Sequence, residues 1–170
     1  MDSFFVSTES FVDAVRDSSP DSTNVEPIQE TDRGKTERGR VVHWWWDSNY
    51  VVEVDTDKIL FMEGNSWNFD HAGGVVESME AGEVFEVPAG RVHRITAEAV
   101  KMTQAHAKKG DLEEQYNMTR PWSRGDIGSY YAQLIDGNHR AVAAMVLREQ
   151  SLPVYVGENY RDNIRKKDWI

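Results

Sequence analysis

The sequence predicts an α+β fold: a small mixed sheet with helices, preceded by an N-terminal β-meander extension and, before that, a disordered acidic tail. Three observations carry this reading. Residues 130–156 read as strand, glycine turn, helix, strand; the composition turns sharply apolar at Arg40; and the stretch from Asp17 to Gly39 is almost devoid of apolar residues. The organisation expected is a mostly disordered tail with a short helix over 1–39, a tryptophan-rich β extension packed on the body over 40–84, and the main domain over 85–170. A chain of 170 residues suits one modest domain with such additions.

Taken in order, Phe4 to Val15 reads as a short amphipathic helix, with Phe5, Phe11, Val12 and Val15 on one face that can dock on the body or on a partner. The polar run from Asp17 to Gly39 cannot repay its ordering entropy and reads as a linker. Next come three β-rich runs, Val41 to Trp46, Tyr50 to Val54 and Lys58 to Met62, separated by Asp47-Ser48-Asn49 and Asp55-Thr56-Asp57. Two hairpin-like connections predict a three-strand meander. Alternation sets Trp44 and Trp46 on one face and Trp45 on the other. Such a cluster suits stacking on single-stranded nucleic acid. Only Arg40, Lys58, Arg91 and Arg94 are cationic in residues 40–98, however, so packing in a core or interface is preferred.

Asn68 to Glu80 is ambiguous, because Val75, Val76 and Met79 have helical spacing while Gly73-Gly74 weakens a helix. Glu83 to Val87 alternates and predicts a strand that continues into Val92 to Ile95. Thr96 is the N-cap of a helix over Ala97 to Lys109, with Gly110 as its stop. A polar linker then carries Glu113, Glu114, Arg120, Arg124 and Asp126. The C-terminal segment after Val156 can be pinned by Ile164 and Trp169, and its Arg161, Arg165, Lys166 and Lys167 form a small basic patch.

Composition removes several kinds of chemistry. The chain has no cysteine, which excludes disulfides, thiolate nucleophiles and thiolate metal sites. No run approaches the roughly 18 apolar residues that span a bilayer, and the acidic start lacks the basic flank of a signal peptide, so no membrane association and a cytoplasmic location are expected. The net charge of −10 is unevenly placed: residues 1–39 carry −5, residues 40–98 carry −7, and residues 99–170 carry +2. The positive third is the one that keeps a polyanionic ligand open.

That third contains Asp136-Gly137-Asn138-His139-Arg140. A glycine turn leading into a helix aims the backbone N–H groups of residues 138–140 outward, where the helix dipole favours an anion. Gly137 permits close backbone approach, Arg140 can fork onto phosphate, and Asp136 can hold a divalent cation or take a proton. An ordinary solvated Asp-Gly turn is the alternative. A second pattern, Gly82, Pro88, Gly90 and His93, resembles the second motif of the cupins, but the first cupin motif is absent and all five histidines stand apart in sequence. His93 is therefore read as a strand-end side chain.

From Phe85 to Glu158 the chain resembles the ParB/sulfiredoxin superfamily, most closely its ParB-like nuclease-type domains. The resemblance rests on VPAGRVHRI, a helix ending in KKG, and LIDGNHRAVAAM running into LPVYV; Gly137, Arg140 and Ala143 fit the family's G-x-x-R-x-x-A nucleotide-binding motif. It implies binding of nucleotide or DNA phosphates at the turn, with a nucleoside triphosphate and Mg²⁺ and a nuclease or NTPase activity. Phosphate contacts fall to Gly137, Asn138, His139 and Arg140, the reacting groups would be Asp136 and His139, Asp136 would hold the metal, and Arg120, Arg124 and Glu114 would be auxiliary. Two departures matter. Sulfiredoxins carry a cysteine where this chain has Asn138, which removes their thiol chemistry. Partition proteins continue into helical DNA-reading and dimerisation domains, which the resemblance does not reach in these 170 residues, so a centromere-clamp role is not expected. Two alternatives stand beside this reading: a non-catalytic acidic phage or plasmid accessory that binds a protein partner through its N-terminal part, and a small-metabolite kinase with Glu113 or Glu114 as base.

Overall fold

A computed structural model describes residues 8–27, 36–37, 40–41, 50–60, 67–111 and 120–169. The Trp44 to Trp46 run, Glu113 and Glu114 lie outside the described residues.

The architecture is α+β, an open mixed sheet with helices on it. Strands β1 (Thr36–Glu37) and β2 (Arg40–Val41) form a small antiparallel pair. The main sheet holds β3 (Val51–Asp55), β4 (Ile59–Leu60), β5 (Ala89–Arg94), β6 (Tyr130–Asp136) and β7 (Ser151–Val156), in the order β3-β7-β5-β6-β4. Strand β7 runs antiparallel to β3 and parallel to β5, and β6 runs antiparallel to β5 and parallel to β4.

Alternation divides the strand residues between two faces. Val52, Val54, Val92, Ala132, Leu134, Leu152 and Val154 line one face. Against it pack α1 (Thr8–Arg16), α2 (Phe69–Glu80) and α4 (Asn138–Val146), through Val15, Ala72, Val75 and Ala141 to Ala143. On the other face Tyr131 meets Trp122, Ile95, Leu60 and Val100, the last from α3 (Ala97–Lys109). Burying each large aliphatic side chain contributes about 1.5–3 kcal/mol. Helix α3 has the bounds its caps predict: the Thr96 hydroxyl accepts from Ala99 N–H at 3.2 Å, and Gly110 closes it at φ +78°.

Several expectations need correction. Strands β3 and β4 do not pair as a meander requires; they occupy the two opposite edges of the sheet. The residues between them form a 3₁₀ turn, Thr56–Lys58, and Lys58 is buried with Asp55, Asp57 and Asp126 around its ammonium at 3.1, 3.3 and 3.5 Å. Those ion pairs direct Ile59 and Leu60 to β6 instead of back along β3. The ambiguous stretch at residues 68–80 is helical from Phe69 to Glu80. The reading of Asp17 onward as a linker fails for its first part, because Asp21 N–H donates to the Asp70 carbonyl at 2.8 Å and Ser19 N–H to the Asp70 carboxylate at 2.9 Å. Helix α1 docks, its Val15 buried in the main core. The C-terminal segment is pinned as expected, by buried Ile164 and by a bridge between Trp169 and Val52. Among the described residues no helix is long and apolar enough to cross a membrane.

Candidate functional site at the α4 amino terminus

The turn between β6 and α4 is set by local register. Ala89 faces Asp136 but Gly90 faces Leu134, so Ile135 is an extra residue in β6. A bulge of this kind bends the strand and re-aims the residues beyond it. Ile135 is left 63% exposed, and Asp136 and Gly137 turn toward a cleft of about 350 Å³. Gly137 sits at φ +91°, a region that side chains disfavour, and serves as N-cap without a side chain to offer. The first bond inside α4 runs from Ala141 N–H to the Gly137 carbonyl at 2.9 Å. The N–H groups of Asn138, His139 and Arg140 are thus left without a partner among the described residues. The other two helices on the sheet with defined caps differ, since Asn68 and Thr96 satisfy α2 and α3.

Arg140 is held in place by its surroundings. In the parallel ladder between β5 and β7, Gly157 N–H donates to the Gly90 carbonyl at 3.1 Å and Tyr155 N–H to the Pro88 carbonyl at 2.8 Å. The next rung would join residue 153 to the Glu86 carbonyl, but residue 153 is proline and has no N–H. Glu86 O instead accepts from Arg140 Nη1 at 2.6 Å, while Arg140 Nη2 reaches Asp136 Oδ2 at 3.2 Å. This corrects the expected strand over Glu83 to Val87. The pattern of that stretch is strand-like, but Pro153 ends the ladder and sheet pairing begins at Ala89.

His139 faces α2. Its Nε2 accepts from Asn68 N–H at 3.1 Å, which puts the proton of the neutral ring on Nδ1. Trp67 and His71 meet the ring edge-on at centroid distances of 5.2 and 5.3 Å. Burial, then the neighbouring His71 and Arg140, hold its pKa below the usual imidazole value. The ring is therefore uncharged near neutral pH.

The structure brings Asp136 to Arg140 together with groups that sequence reasoning does not select. His71 and Val75 come from α2, Phe85 and Glu86 from the segment before β5, and Asn24 and Glu26 from the N-terminal segment. No spacing in the sequence marks them, because their meeting depends on the α1–α2 region folding over α4. Arg120 belongs elsewhere: it pairs with Asp126 at 3.0 Å and approaches Asp57 at 3.6 Å, and Arg124 is itself exposed in the 3₁₀ turn Arg124–Asp126. Both precede β6 while the glycine turn comes after it, a separation on the order of 20 Å at strand rise. Glu114 lies outside the described residues.

Among the described residues lining the cleft, Glu26, Glu86 and Asp136 are acidic, and Asp136 pairs with the guanidinium of Arg140, itself 17% exposed. Among the described residues no three His, Asp or Glu side chains gather in a metal cage. Compared with known protein families, with curated proteins and with solved structures, the chain matches none of them.

Proposed function

We propose that the chain is a ParB/sulfiredoxin-like domain, of the ParB-like nuclease type, that binds a nucleotide or DNA phosphate at the α4 amino terminus and carries out phosphoryl chemistry there. The observation that supports this reading is the uncapped first turn of α4. Three amides without a partner among the described residues open into a cleft beside a fixed guanidinium, which is the arrangement an oxyanion needs. Three carboxylates around the same cleft would repel a bare polyanion, which favours a ligand carrying its own divalent cation. Asp136, 72% exposed, fits the part of one carboxylate ligand to Mg²⁺, the remaining positions being phosphate oxygens and water. Bound there, the metal would neutralise charge on the phosphates. Arg140 and the 138–140 amides hold phosphate oxygens, and neutral His139 fixes the first turn of α4 against α2.

Calorimetric titration of nucleoside triphosphates, with and without Mg²⁺, tests the proposal. Binding should require Mg²⁺. Arg140→Ala should weaken it about tenfold to a hundredfold, the loss of charge-assisted hydrogen bonds, with Arg140→Lys intermediate. Undiminished affinity in a folded Arg140→Ala protein rejects the assignment, and binding insensitive to Asp136→Asn rejects the metal role.

A further inference from the structure

The segment Glu83–Val87 leaves α2 and reaches β5 without joining a helix or the sheet. The N–H groups of Val84, Phe85, Glu86 and Val87 and the carbonyls of Val84, Phe85 and Val87 make no hydrogen bond to any described residue; Glu86 O alone is used, by Arg140. Beside this row of donors and acceptors runs a second cavity, of about 390 Å³, between the segment, α4 and β7. It exists because Pro153 stops the β5–β7 ladder, so that the chain before Pro88 parts from β7. Met79, Phe85, Leu147 and Leu152 give it apolar walls, and Glu83 and Glu149 are acidic residues on its lining. Among the described residues lining it the one cation is Arg140, already held by Glu86 O and Asp136.

We infer that this groove is a docking site for an extended peptide segment of a partner protein, one that alternates aliphatic with lysine or arginine side chains. A consecutive row of unpaired main-chain groups is complemented by the main chain of another strand, which brings its own donors and acceptors at matching spacing. Alternation then sends the aliphatic side chains into the groove and leaves the basic ones for the carboxylates. The charge on the groove decides the sign of the partner, and this site is distinct from the amides of α4.

Fluorescence anisotropy with an alternating Lys–Val octapeptide tests the inference on the full chain. The peptide should bind saturably, and an alternating Lys–Ser peptide of equal charge about tenfold more weakly, since the apolar contacts are lost. Val84→Pro, which removes one main-chain donor, and Glu83→Lys with Glu149→Lys, which reverses the rim, should each weaken Lys–Val binding about tenfold or more. Asp111→Lys, far from the groove, should leave it unchanged. Equal binding of the two peptides, or affinity untouched by both groove variants, overturns the proposal. A concentration-dependent dimer that Val84→Pro abolishes and the peptide does not compete with also overturns it, by naming a second copy as the occupant.

Discussion

At Gly137 two constraints coincide: the backbone angle, and space. A Cβ there would lie 2.8 Å from Pro88 Cβ and 2.9 Å from both Pro88 Cα and Arg140 Nη2. Gly137→Ala should therefore lower stability by about 2 kcal/mol or more, from left-handed strain and from displacement of the Pro88 backbone. Urea unfolding reads this directly. His139 supports a second expectation, for pH. Its folded pKa is depressed, so the unfolded chain takes up a proton near 6.5 while the folded chain resists it. The contribution is fully present above pH 6.5 and is lost as pH falls from there toward the lowered folded value. His93, also lowered by burial and by Arg91, adds a slope of the same sign. Urea midpoints measured from about pH 7.5 down to 5 should fall in the parent, and fall less steeply in His139→Gln. An unchanged slope would mean that His139 titrates normally.

At the scale of elements, Gly73 and Gly74 in the middle of α2 have a tertiary cause. A Cβ on Gly73 would meet Ser18 Oγ at 2.6 Å, and one on Gly74 the Asp21 carbonyl oxygen at 2.2 Å and its carbon at 2.6 Å. The missing side chains let residues 18–22 lie directly on the helix. Alanine gains about 1 kcal/mol in helix propensity over glycine, but in Gly74→Ala the opposing atom is backbone and cannot swing away. The variant should release the segment around Asp21, seen as faster limited proteolysis within residues 17–27 with α2 retained by circular dichroism. The sequence discloses elements whose determinants are local: α3 through Thr96 and Gly110, and β6, its turn and α4 through Asp136-Gly137. It hides those settled at a distance. Gly73-Gly74 argues against a helix until the N-terminal segment is seen resting on it, and Glu83 to Val87 keeps a strand pattern that Pro153, far along the chain, prevents from pairing. In the candidate site, the DGNHR turn is legible for the same local reason, whereas His71, Glu86, Asn24 and Glu26 are not.

The whole molecule is organised along β6, with an ion cluster before its start and the cleft after its end. Asp126 is buried, accepts from Arg120 at 3.0 and 3.3 Å and from Ser123 N–H at 2.8 Å, and lies 3.5 Å from the Lys58 ammonium. The Arg120 hydrogen bond, with help from the Ser123 amide and Lys58, holds its carboxyl far below the usual carboxylate range. This cluster ties the 3₁₀ turn before β4 to the one before β6, and so keeps β4 on its edge. Asp126→Asn leaves Lys58, 6% exposed, facing only the exposed carboxylates of Asp55 and Asp57. The expected loss is about 2–3 kcal/mol, toward the low end for a broken buried pair because Arg120 is half exposed. Lys58→Met should lose less, since Asp126 keeps Arg120 and Ser123. The depressed pKa sets the sign with pH: the parent has this contribution above the ordinary aspartate value of 3.8 and loses it as pH falls through the lower folded value, and Asp126→Asn lacks that acid-side loss. Sites separated by the length of β6 and sharing no partner behave additively. Asp126→Asn should then lower the urea midpoint while leaving the nucleotide affinity proposed for the α4 turn unchanged, and Arg140→Ala should weaken that affinity without altering the acid limb of the stability curve. Parallel titrations and unfolding curves on the two variants and their double would separate the cluster that holds the sheet edge from the cleft, and a coupled result would place both on one cooperative unit.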